Sequence, residues 1–223
     1  KQLLTIARAV LADPKILMYT DPVESISTDE LRQMTPYVDI WCPNLIGLVL
    51  RKENVEKLDI IKASGKPMWT YECFAKAKHL SPLGYYRGQA WVAWRHGIRG
   101  IGFWSYCTSG DDPWYPPLMR HEYLLIYPGN GVVVSKRWEA VRDGIEDYTM
   151  LAALAAKAPA AKPEDAEATK RLLGEQATAI SEFCDGVAAP VNACLPGMRR
   201  TEDERWSKVR EVRRELARLL DLP

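Results

Sequence analysis
The chain has 223 residues, 30 Lys+Arg against 29 Asp+Glu, and 47% hydrophobic residues. That is long enough for a real core without disulfide or metal staples, and the near-zero net charge argues against nucleic acid or an anionic membrane as the main partner. No apolar run reaches the length of a membrane span, and five Cys without a CxxC, beside three His, make no zinc set.

The predicted elements alternate. Residues 3–11 place Leu3, Leu4, Ala7, Val10 and Leu11 on one helical face, and Asp13-Pro14 ends it. Residues 15–20 (KILMYT) read as a buried strand closed by Asp21-Pro22. Ser27-Thr28-Asp29-Glu30 reads as the cap of a short helix. Residues 38–42 (VDIWC) are a second strand. A helix at 54–63 carries Val55, Leu58 and Ile61 and stops at Gly65. Residues 67–73 (PMWTYEC) are a third strand, 85–96 a helix ended by Gly97, and 99–106 (RGIGFWSY) a fourth strand. Strands that alternate with helices over short connections indicate a parallel sheet in an α/β fold. No GxGxxG or GxxxxGK[ST] supports a nucleotide site.

Beyond residue 120 the pattern changes. Residues 122–127 (EYLLIY) are a strand, and Pro128-Gly129-Asn130-Gly131 is a turn that returns the chain through 132–134 as a hairpin. Ser135 is the N-cap of a long helix to about Ala156, with Trp138, Val141, Ile145, Tyr148 and Ala152 as its apolar stripe. After an Ala/Pro/Lys linker at 159–163, helices are predicted over about 164–183 and 203–220. The last has Trp206, Val209, Val212, Leu216 and Leu219 or Leu220 as its buried stripe. Its many Arg residues are interleaved with acids, which marks a solvated face.

The loops after the strands are the long ones, as on the active face of a β/α barrel. The aromatic balance is unusual: eight Trp and ten Tyr beside three Phe. Rings with a polar tip suit sugar clefts and interfaces. Candidate site residues follow from this. Glu72 ends the third strand and is the candidate catalytic carboxylate, able to stabilise a developing positive charge at a sugar carbon; a solvated loop acid or a partner for Arg87 is the alternative. It shares the site with Tyr71 only if the strand has ended before it. Asp21 either bonds sugar hydroxyls or opens a turn. Tyr71, Trp104 and Tyr106 are candidate stacking residues, with Trp69 on Tyr71's side of its strand. Trp41 and Asn44 flank the end of the second strand. Asp112 and Trp114 either close over a sugar or form an Asp-Pro turn with a packed Trp. Trp91 and Trp94 sit three apart on a helix and read as core. No metal site and no cofactor are expected.

Tyr127-Pro128-Gly129, then residues 135–148 (SKRWEAVRDGIEDY), resemble the end of the catalytic domain of glycoside hydrolase family 123. Trp69-Thr70-Tyr71-Glu72-Cys73 is similar to the family's seventh strand. Arg87, Trp91, Trp94, Gly97, Gly100, Phe103 and Trp104 are similar to the helix and strand after it. The resemblance implies the C-terminal half of a (β/α)8 TIM-like barrel over residues 1–158, with a helical extension over 159–223. It implies a β-N-acetylgalactosaminidase-like activity on a carbohydrate substrate, an extracellular or periplasmic location, and Arg87 as a site residue. In the family the substrate's own 2-acetamido oxygen attacks the anomeric carbon, and an adjacent Asp-Glu pair serves it. Asp29-Glu30 and Asp203-Glu204 stand at predicted helix starts, where acids favour the dipole. In the family the pair lies at the end of strand four, so the resemblance implies that it precedes residue 1 and that an N-terminal half or a second chain completes the barrel. A non-catalytic carbohydrate-binding or scaffold domain with an aromatic cleft is the alternative.

Overall fold
The structure, a computed structural model, describes residues 19–73, 81–109, 114, 122–187 and 198–222. The expected helix at 3–11, most of the strand at 15–20 and Asp112 lie outside the described residues. The chain forms two compact units.

The first unit comprises residues 1–72 and 97–103. Its strands are β1 (Tyr19–Thr20), β2 (Ile40–Trp41), β3 (Trp69–Glu72) and β4 (Gly100–Phe103). β1 pairs with β2 and β3 with β4, both parallel. Single parallel bridges, Trp41↔Met68 and Asn44↔Tyr71, tie β2 to β3. Spatial order therefore follows chain order, the commoner arrangement for consecutive elements. The fold is α/β, and among the described residues the strands do not close a barrel.

Helix α1 (Thr28–Met34) starts where the sequence places it. Ser27 Oγ accepts from Glu30 N–H at 3.2 Å, and Glu30 Oε2 accepts from Ser27 N–H at 2.9 Å. That reciprocal bonding satisfies two otherwise orphaned donors. Helix α2 (Val55–Ala63) buries Leu58 and Ile61 and ends before Gly65, whose φ of 68° favours glycine. The core of this unit gathers Leu31, Val38, Trp41, Leu48, Ile61, Met68 and Ile98.

The second unit comprises residues 73–96 and 104–223. A single π-type turn, Pro82–Arg87, leads into α3 (Gly88–His96). β5 (Cys107–Ser109) pairs antiparallel with β6 (Glu122–Leu124), and β7 (Ile126–Gly129) with β8 (Gly131–Val134), the expected hairpin. Helix α4 (Lys136–Lys157) is capped by Ser135 Oγ, which accepts from Arg137 N–H and Trp138 N–H. Helices α5 (Pro163–Arg171), α6 (Ala177–Val187) and α7 (Met198–Leu219) follow. α7 begins at Met198, earlier than expected, and buries Trp206, Val209, Val212, Leu216 and Leu220 as its spacing predicts.

The stripe of α4 is rotated from its predicted face. Trp138 and Ile145 are exposed, while Ala140, Gly144, Asp147, Leu151 and Leu154 are buried. The reason is a long-range partner. Residue Arg87 sits on that face: a Cβ on Gly144 would lie 2.8 Å from its carbonyl oxygen. A glycine contact and a buried ion pair, described below, override the hydrophobic count.

Candidate functional site
In the first unit the alternation of β3 separates two faces. Thr70 and Glu72 are buried, whereas Trp69 is 40% exposed and Tyr71 is half-buried. Thr70 Oγ1 donates to Pro43 O at 2.7 Å. Glu72 Oε1 accepts from Ile46 N–H at 2.6 Å, at the start of the turn Leu45–Val49. β3 runs through Glu72, paired with Phe103, so the carboxylate points away from the Tyr71 side. Glu72, the expected catalytic carboxylate, bonds the backbone of the loop that follows β2.

The other face carries Tyr19, Asp21, Cys42, Trp69 and Tyr71. Tyr71 O–H donates to Asp21 Oδ2 at 2.6 Å. The rings of Tyr19 and Trp69 lie 5.8 Å apart. Trp69 lies against Gly100, where a Cβ would come within 2.7 Å of the indole. Burial pushes the Asp21 carboxyl above its ordinary value, and the hydrogen bond from Tyr71 opposes that. Burial likewise raises the Cys42 thiol; the bond from Tyr19 pulls it down and the nearby Asp21 charge pushes it up. The Tyr19 phenol is raised by burial, by its bond to Cys42 and by the charges beside it. Desolvation disfavours the charged form of each acid. Asp21 and Cys42 directly follow β1 and β2, and Tyr71 lies near the end of β3, on the side where α/β sheets bind ligands, whereas Trp69 opens β3. Tyr19 carried no signal in the sequence beyond ending an apolar run.

Two expected members of this site are placed elsewhere. Trp41 is wholly buried, and its indole N–H donates to Ser64 Oγ at 3.1 Å. It is level with Met68 on the packed face, so no ring face is open to a sugar. Asn44 uses its amide on backbone: Oδ1 accepts from Gly47 N–H at 2.6 Å and Nδ2 donates to Tyr71 O at 3.3 Å. It caps a turn, a common use of Asn.

In the second unit Arg87 is buried, with Nε donating to Asp147 Oδ2 at 2.7 Å and Nη2 to Oδ1 at 3.0 Å. Trp91 Nε1–H donates to the same carboxylate at 3.0 Å, and Arg213 Nη1 at 3.2 Å. The Arg87 guanidinium lies 5.5 Å from the Trp206 ring centroid. Arg87, expected at the sugar site, is a structural cation here because its fork is bidentate to a buried acid. Trp104 and Tyr106 are 62% and 53% exposed. Trp114 stacks on Tyr127 at 4.6 Å, and Arg137 Nη2 donates to Tyr127 Oη at 2.6 Å. Among the described residues no group of three or more His, Cys, Asp or Glu is placed to hold a metal, and no helix is long and apolar enough to cross a membrane.

The model of the glycoside hydrolase 123 catalytic domain matches residues 24–154. The chain belongs to glycoside hydrolase family 123. A solved structure of a family 123 glycoside hydrolase from Clostridium perfringens, studied for glycolipid glycan hydrolysis, is similar at 14% identity and a TM-score of 0.47. The likeness covers 71% of this chain and 32% of that one, so the family 123 chain described here spans about a third of the enzyme's length. A comparison with curated proteins found no match.

The geometry gives the family-like run at 135–148 a physical meaning. Ser135 caps α4 and its hydroxyl donates to Leu125 O at 2.5 Å. Arg137 Nε donates to Leu124 O at 2.7 Å. Trp138 meets Tyr106 edge-on at 6.1 Å. Asp143 Oδ2 lies 3.7 Å from Arg87 Nη1, Gly144 admits the Arg87 backbone, and Asp147 accepts its fork. In this family 123 chain the run is a clamp.

Proposed function
We propose that this chain is part of a glycoside hydrolase that acts on β-linked 2-acetamido sugars by substrate-assisted retention. The observation that carries the site is the sheet face that Trp69 and Tyr71 share, with Asp21 bonded to Tyr71 after the end of β1. Parallel sheets are ordinarily covered on both faces, and this face presents rings and a carboxylate instead. That supports reading β1 to β4 as strands five to eight of a (β/α)8 barrel, with this face turned to its interior. Trp69 stacks on a pyranose, and Asp21 and Tyr71 bond its polar groups. Within the second unit, Trp104, Tyr106 and Trp114 are stacking candidates in their own right, proposed without reference to this face.

In the proposed reaction the 2-acetamido carbonyl oxygen attacks the anomeric carbon while the bond to the leaving oxygen breaks. A Glu protonates that oxygen, and an adjacent Asp orients the acetamido group. Asp29-Glu30 does not supply the pair: Glu30 is the capping-box acid and Asp29 pairs with Arg32 at 3.1 Å. The pair is assigned to another part of the protein.

The test is the full-length protein with an aryl β-N-acetylgalactosaminide. Turnover with retained anomeric configuration is expected. No turnover with glycan binding intact would favour a non-catalytic carbohydrate-binding domain.

A further inference from the structure
The bond between Tyr71 and Asp21 has a direction. A phenol ordinarily both donates and accepts, whereas an ionised carboxylate only accepts. With the two oxygens 2.6 Å apart, the shared proton is the phenol's and points at Asp21. Such a charge-assisted bond is among the stronger ones. What Tyr71 Oη then presents to a ligand is lone-pair density. We infer that Asp21 fixes the Tyr71 hydroxyl as an acceptor, making Tyr71 a specificity residue that takes a hydrogen bond from a sugar N–H or O–H and disfavours a carboxylate at that position. This rests on the sugar site proposed above.

Among the described residues, the groups that face Asp21 are the Tyr19 phenol on β1, the Cys42 thiol after β2 and Tyr71 on β3. Tyr19 and Cys42 both titrate above their ordinary values. In acid they stay neutral, and Asp21 alone of this group changes state. A protonated Asp21 can donate to Tyr71 and release the phenol proton toward the ligand, which removes the acceptor.

The experiment is calorimetric binding of N-acetylgalactosamine, galactose and galacturonate to the full-length protein, as wild type, Tyr71→Phe and Asp21→Asn, across acid to neutral pH. Tyr71→Phe is expected to weaken the bound neutral sugar about tenfold. Wild-type affinity is expected to fall in acid, through a pKa above that of an ordinary Asp, and this limb is expected to vanish in both variants. Galacturonate is expected to bind more weakly than galactose. If wild type binds galactose but not N-acetylgalactosamine, and these effects persist, the 2-acetamido reading falls and the acceptor assignment stands. Unchanged affinity in Tyr71→Phe, an acid limb retained in Asp21→Asn, or binding of neither neutral sugar overturns it.

Discussion

Two carboxylates of this chain are held in opposite ways. Asp147, in the second unit, is wholly buried and surrounded by donors: two from Arg87, one from Trp91 and one from Arg213. Asp21, in the first unit, is exposed, and its principal partner is a neutral phenol. A buried acid matched by cations is what a scaffold needs. An acid desolvated without a cation costs stability, and such groups cluster at functional sites. The contrast separates the clamp built from the family-like run from the face proposed to meet the sugar.

The largest expected effect breaks the clamp. Asp147→Ala leaves the Arg87 and Arg213 charges without their shared acid, and removing one partner of a buried pair costs about 3–5 kcal/mol. Chemical denaturation of the full-length protein is expected to show this as a lower midpoint with the slope kept. Gly144→Ala follows. Its methyl meets the Arg87 carbonyl, and overpacking of that kind costs about 1–3 kcal/mol; the melting temperature reads it out. Cutting the capping box with Ser27→Ala is expected to cost about 1 kcal/mol and to leave sugar binding unchanged.

The smallest effect on stability belongs to Asp21 and sharpens the contrast. Its folded pKa is raised above 3.8. The folded state therefore holds its proton more tightly than the unfolded chain. The linked stability is fully present below the unfolded value and is lost as pH rises through the folded one. Asp21→Asn should remove that slope and melt at or slightly above the wild-type temperature at neutral pH. Asp147→Asn should melt well below wild type. Thermal melts of the two variants across acid to neutral pH check both.

Much of the frame was legible. The helix cap at Ser27, the hairpin at Gly131 and the stripe of α7 are set by local chemistry, and each appears in the structure. The family likeness in residues 135–148 was legible as well. What failed depended on parity and long-range partners. One more paired residue on β3 decides which way Glu72 points, and its pairing with Phe103 comes from a strand about thirty residues away. Trp41 faces the core because of its bridge to Met68, a register that no local pattern carries. The face of α4 was misjudged because its buried centre is Asp147, and hydrophobic periodicity assigns an acid to solvent. Trp91 was legible as core, as its complete burial shows, but its bond to Asp147 was not.

The central claim is that the sugar site lies on the Asp21–Tyr71 face. A crystal structure of the full-length protein with N-acetylgalactosamine tests it most directly. The pyranose is expected against Trp69, with a sugar N–H or O–H about 2.7–3.0 Å from Tyr71 Oη and the Tyr71–Asp21 bond intact. A sugar bound away from this face, or a sugar oxygen accepting from Tyr71 with Asp21 turned aside, would contradict it.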